Sequence, residues 1–237
     1  MVEAGTPVAW GEGLVWLVGV IVGGFLISWV LTDVLRMHRA LYVALLTLLA
    51  WGLTIGYVMW SGSGPAFWIE RWPWGMLGAL VAGAFLAVMV SRRPAEREAD
   101  GMGPGDALWE GVVYGSAEGL LLSVLPVLIT WQLLGALGWG DAWRALAALA
   151  ASVVVIVAHH LGYPEYRGRA IASPVIGCTV LSIAYLATGS PIAAIGGHIV
   201  LHLAMRMRGM ELPPHAEAIP GGERTRAGGE LAAARSG

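Results

Sequence analysis

Seven stretches of this chain are long and apolar enough to cross a lipid bilayer, and that pattern constrains the fold more than any other feature. A spanning helix needs about 20 predominantly apolar residues. Residues 14–31, 40–60, 74–90, 108–131, 143–161, 171–187 and 192–207 answer to that description, the last two being the shortest. The expected fold class is therefore all-α, a polytopic membrane helical bundle with about seven transmembrane helices. Composition supports it. Only 13% of the 237 residues are charged, about half the share of an ordinary soluble domain, which excludes a water-soluble globule and disorder over most of the chain. The single Cys excludes a disulfide framework. All 14 basic residues are Arg, so lysine chemistry such as a retinal Schiff base is impossible and the rhodopsins are excluded. A net charge of −2 gives no footprint for nucleic acid.

The arginines set an expected topology. Arg36 and Arg39 follow the first segment, Arg92, Arg93 and Arg97 the third, Arg167 and Arg169 the fifth, and Arg206 and Arg208 the seventh. The opposite loops hold only Arg71 and Arg144. Because cytoplasmic loops collect Arg, a multi-pass cell-membrane protein with its N-terminus outside and its C-terminus in the cytoplasm is expected. No basic residue precedes the first apolar run, so the start does not read as a cleaved signal peptide. Residues 1–208 read as one transmembrane domain and 209–237, rich in Pro, Gly and charge, as a disordered cytoplasmic tail. Residues 91–106 form a polar, Gly/Pro-containing loop, the one internal hinge expected.

Ionisable groups inside a spanning segment are costly and face the bundle interior. The candidates are Glu110 and Glu118 in segment four, His159 and His160 in segment five, and His198 and His202 in segment seven. At 1.5 Å per residue, Glu118 lies roughly 15 Å from the cytoplasmic start of its helix, and the histidines fall in the same half of the bilayer. These residues are thus placed to line one cavity open to the cytoplasm. His198 and His202 are four apart and share a helix face, a geometry that suits a metal site, a proton relay, or simply interhelical hydrogen bonding. Glu118 has no basic partner on its own helix and reads either as a general base or as a protonated carboxyl bonded to a neighbouring helix. Glu110, beside Trp109 near the interface, reads as a solvated helix-start charge with a supporting role open to it.

Segment four also carries Gly111, Gly115 and Gly119 at four-residue spacing, a ridge that permits close approach by another helix. Pro126, two turns later, is expected to kink that helix beyond the site. Tryptophans near the segment ends (Trp10, Trp16, Trp60, Trp72, Trp74, Trp109, Trp131, Trp143) read as interfacial anchors.

Two stretches resemble the CPBP intramembrane proteases, the family that includes the type II CAAX prenyl endopeptidases and bacteriocin-immunity relatives. Val155-Ile-Val-Ala-His159 is similar to that family's second motif, in which an aromatic or aliphatic residue stands four before a His. Tyr185-Leu-Ala-Thr-Gly-Ser190, followed by His198, resembles the approach to its third motif, and Glu118 stands at the position of the first. The resemblance runs from Glu118 to His202. It implies hydrolysis of a peptide bond in a membrane-associated peptide or prenylated protein. Glu118 and His159 would activate water, His198 would be an oxyanion donor, and His202 would stand in the place of an Asn or Asp. Glu plus three His is also compatible with a bound Zn²⁺, with Glu118, His159, His198 and His202 as ligands. The chain departs from the family at three points: Ala117 replaces the first Glu of the first motif, Leu122 its Arg, and His202 the Asn or Asp. His160 is an alternative to His159, since neighbours on a helix point about 100° apart.

Two further readings use the same residues: a non-proteolytic membrane transporter or metal-binding protein, and a haem b protein with bis-His ligation.

Overall fold

The computed structural model describes residues 9–93 and 103–210, and among these every regular element is helical. Six helices are long and apolar enough to cross a membrane: α1 (Trp10–Val34), α2 (Arg39–Trp60), α3 (Trp72–Ser91), α4 (Pro104–Ala136), α5 (Asp141–Leu161) and α6 (Arg169–Thr188). The seventh expected segment is also a helix, α7 (Pro191–Met207), but has only 17 residues, about 25 Å of rise. The tail beyond Met210 and most of the 91–106 hinge lie outside the described residues.

Helix α4 is the axis of the bundle. Of the residues in its apolar stretch 89% are buried, against 17–39% for the other five spans, and it touches α1, α2, α5, α6 and α7. Leu120–Leu122, Val124, Leu125 and Val127–Ile129 are fully enclosed. Lipid is as apolar as leucine, so this core is held by close packing and buried hydrogen bonds rather than by escape from water. The glycine ridge shows how. A Cβ on Gly115 would lie 2.9 Å from Ile199 Cα, and one on Gly119 equally close to Ile195 Cα. Only glycine lets α4 and α7 approach at that separation.

The helix is not uniform along its length. Residues 107–113 and 119–124 wind in wider π-type turns on either side of the ordinary turn Tyr114–Glu118, a distortion that recurs at functional sites. Pro126 follows the second of these. Its missing N–H leaves the carbonyl four residues back without its helical donor, and Ser152 Oγ of α5 donates to that Leu122 carbonyl at 2.7 Å. Ser152 also bonds Ser182 of α6 at 2.6 Å, and Ser182 donates to Ser123 at 3.0 Å. A serine cluster thus ties α4, α5 and α6 beside the distortion.

The turn from α6 to α7 has a local cause. Gly189 takes φ +66° and its N–H donates to the Tyr185 carbonyl at 2.8 Å, closing α6. Ser190 is extended, and Pro191 opens α7 with the φ its ring imposes. The Thr-Gly-Ser-Pro run is therefore a helix stop and start that sets α7 beside α6, with α3 and α4 on its other flanks.

Among the expected anchors, Trp10, Trp72, Trp74 and Trp143 are exposed at helix ends. Trp131 is a correction: it is buried, with the Arg144 guanidinium stacked 4.3 Å over its ring. Trp16 packs edge-on against Tyr57, and Trp109 is half-buried against the core.

Candidate functional site

Glu118 ends the narrow turn of α4 with its carboxyl group enclosed between two imidazoles. His202 Nε2 of α7 lies 2.9 Å from Glu118 Oε2, and His159 Nε2 of α5 lies 3.7 Å from Oε1. Each imidazole is fixed from behind by the main chain. His202 Nδ1 donates to the Glu110 carbonyl at 3.2 Å, and His159 Nδ1 donates toward the Gly24 carbonyl at 3.1 Å and Ser28 Oγ at 2.8 Å. Both nitrogens of His202 therefore face oxygen acceptors. The contact with Glu118 is satisfied by one additional proton shared between imidazole and carboxylate. Three helices contribute to this arrangement, and the Gly115 and Gly119 contacts set the separation of α4 and α7 on which it depends.

The other two histidines are placed differently. His160 donates from Nδ1 to the Ile156 carbonyl at 2.8 Å. His198 Nε2 receives the thiol of Cys178 at 3.5 Å, and its buried Nδ1 has no hydrogen-bond partner among the described residues. Glu118, His160, His198 and His202 all line one cavity of about 110 Å³, with Tyr163 and Cys178 beside them, roomy enough for several waters. His159 does not line it and lies behind Glu118 and Tyr163, which do. The adjacent pair is thus divided: His159 contacts the carboxylate, and His160 faces the cavity.

Glu110 is not the solvated charge expected. Its carboxylate lies 3.4 Å from Arg39 Nε and 2.5 Å from Arg206 Nε, with its side chain only 14% exposed. The start of α2 and the last turn of α7 converge on the start of α4, and Glu110 bridges Arg39 and Arg206 there. It also holds His202 through its carbonyl, so its link to the cluster is through the backbone.

A tyrosine group was not anticipated from the sequence. Tyr163, in the loop after α5, places its hydroxyl 3.1 Å from His159 Nε2, hydrogen-bonded to Tyr42 and 3.3 Å from Tyr114. All three are buried, and burial pushes the Tyr163 phenol well above its ordinary pKa, so it stays a protonated donor. The signal was present in part: Tyr42 and Tyr114 sit inside apolar segments, where a phenol needs a partner, and Tyr163 is four residues after His159.

Among the described residues, no group of three or more His, Cys, Asp and Glu side chains is arranged to hold a metal ion. Glu118 and His202 are already hydrogen-bonded to each other and would have to separate to share one. The cavity itself has two characters. Part of its lining is the Glu, His and Tyr group, and part is apolar, with Leu86, Met89 and Val90 of α3 and Leu201 and Met205 of α7; Arg93 also lines it. Met89 and Ile176, which also line it, are 38% and 53% exposed on the outer surface of the bundle.

No family model matches the chain, and no curated protein or solved structure was found to match it.

Proposed function

We propose that this chain is an intramembrane endopeptidase of the CPBP type, hydrolysing a peptide bond of a membrane-associated substrate from the cytoplasmic side. The observation that carries the reading is the buried Glu118 carboxylate, lining a cavity while two backbone-anchored imidazoles from other helices hold it. The motif resemblance between Glu118 and His202 supports it, and so does the arginine at the cavity, Arg93, which belongs to the arginine-rich side that the proposed topology makes cytoplasmic. The apolar part of the cavity lining suits a substrate with a lipid or apolar part, such as a prenylated protein.

In this mechanism Glu118 takes a proton from a water in the cavity as the hydroxide adds to the scissile carbonyl. His202 orients the carboxylate and stabilises the charge changes on it, and His159 packs against its other oxygen. His198, whose Nε2 accepts from Cys178, offers its Nδ1–H to the developing oxyanion. The proton held by Glu118 passes to the departing amine as the C–N bond breaks, leaving an acid and an amine. Every step uses the chain's own side chains, as the donor arrangement suggests. Zn²⁺ remains a proposal that a chelator tests. Activity that survives 1,10-phenanthroline supports the side-chain mechanism, whereas loss restored by Zn²⁺ supports a metal.

The test is a cleavage assay in proteoliposomes with membrane-anchored and prenylated peptides, read by mass spectrometry for new termini. Cleavage abolished by Glu118→Ala and by His198→Ala, each still folded, supports the reading. Normal cleavage by either variant refutes it. Proton or metal flux lost with His198→Ala, without any peptidase activity, supports the transporter reading instead.

A further inference from the structure

The cluster places a phenol where neither the motifs nor the charge pattern pointed. Tyr163 closes α5's exit loop back over the site, and its hydroxyl makes as many bonds as it has valences. One O–H and two lone pairs are available to a tyrosine. The neighbours are Tyr42 OH, Tyr114 OH at 3.3 Å and His159 Nε2 at 3.1 Å. On the other side of the ring, His159 Nδ1 faces the Gly24 carbonyl, which can only accept. The imidazole hydrogen belongs on Nδ1, shared with Ser28 Oγ, which itself donates to Gly24 O at 3.1 Å. That leaves Nε2 as the acceptor. Tyr163 donates to it, with the hydroxyls of Tyr42 and Tyr114 on the other side of its oxygen.

We infer that Tyr163 is a positioning residue: by donating to Nε2 it fixes the Nδ1–H tautomer of His159 and holds that imidazole in place beside the Glu118 carboxyl group. Tyr42 and Tyr114 act on Tyr163 by occupying its lone pairs and turning its hydrogen toward His159. This role rests on the proposed function for its catalytic meaning but not for its structural content, which a spectroscopic test isolates.

The experiment is ¹⁵N NMR of the full chain in lipid nanodiscs with labelled histidine, six residues in all, the His159 signals being assigned by their loss in His159→Gln. The wild type is expected to show His159 neutral, protonated at Nδ1, with a hydrogen-bonded, unprotonated Nε2. In Tyr163→Phe that Nε2 signal is expected to lose its hydrogen-bond shift or to become Nε2–H paired with Glu118. Tyr42→Phe, which keeps the bond to His159, is expected to produce a smaller change in the same direction. An Nε2–H His159 in the wild type overturns the inference even if Tyr163→Phe fails to fold, and so does a His159 spectrum unchanged in that variant. If peptidase activity is found, Tyr163→Phe lowers kcat about 10- to 100-fold with KM unchanged, the scale seen when the orienting partner of a functional imidazole is removed. A tautomer that behaves as expected in a protein without peptidase activity upholds the positioning and refutes the function.

Discussion

Ser152 does more for the fold than a small hydroxyl on an apolar helix suggests. It supplies the donor that Pro126 cannot, at the Leu122 carbonyl in the middle of the bundle. Ser152→Ala leaves that carbonyl unpaired and is expected to destabilise the protein by about 1 kcal/mol, measured by unfolding in mixed micelles; unchanged stability contradicts the assignment. His202 carries a different consequence. Without it Glu118 keeps only the longer contact to His159, and His202→Ala is expected to reduce cleavage at least tenfold while the chain remains folded. A peptidase assay on the folded variant checks this, and undiminished cleavage contradicts it. At this scale the sequence was informative because charges in a bilayer are rare: with so few, Glu118 and the four histidines stood out unaided. What it could not show was pairing. His159 and His160 differ by about 100° around α5, and only the packing of α1 and α4 against that helix decides which one meets the carboxylate. The tyrosines escaped for a related reason, since a phenol is apolar over most of its surface and blends into a hydrophobic segment.

Helix α4 and helix α7 form the contact on which the site depends. The four-residue glycine spacing announced that some helix would approach closely, but not which, because any small-residue ridge can serve any partner. The structure supplies α7, and with it the distance between Glu118 and His202. A methyl group at Gly119 meets the backbone of Ile195 at 2.9 Å, and backbone cannot turn aside as a side chain can. Gly119→Ala is therefore expected to displace α7, destabilise the protein by about 1–3 kcal/mol and lower cleavage more than tenfold. Gly52→Ala is the control, since a Cβ there meets nothing within 4 Å, and it should alter neither property by a comparable amount. Equal behaviour of the two variants, in unfolding and in turnover, contradicts the argument. The wide turns flanking Glu118 had no signature in the apolar pattern, which averages over the helix and does not register an extra residue per turn.

For the whole molecule, hydropathy and arginine placement were sufficient to outline a helical membrane bundle, and the 17-residue α7 is the one segment that falls short of the spanning length. The proposed topology makes a direct prediction. In a Cys178→Ser background, Glu70→Cys between α2 and α3 should react with a membrane-impermeant maleimide on intact cells. Glu165→Cys, in the loop between α5 and α6, should react only after permeabilisation. The reverse pattern places the cavity on the outer side and removes the cytoplasmic substrate from the account. The cavity's mixed lining, partly polar and partly apolar, emerges only from assembly, because it joins residues of α3, α4, α6 and α7 that are far apart in the chain.

The most direct measurement of the central claim is the turnover of Glu118→Gln on a membrane-anchored peptide that the wild-type protein cleaves, taken together with its unfolding curve. Glutamine keeps the shape of the side chain but cannot take a proton from water. Loss of a general base costs about 10²–10⁴-fold in rate, so at least a hundredfold fall is predicted in a variant that remains folded and binds the peptide as before. Cleavage at the wild-type rate by folded Glu118→Gln would contradict the account at its centre.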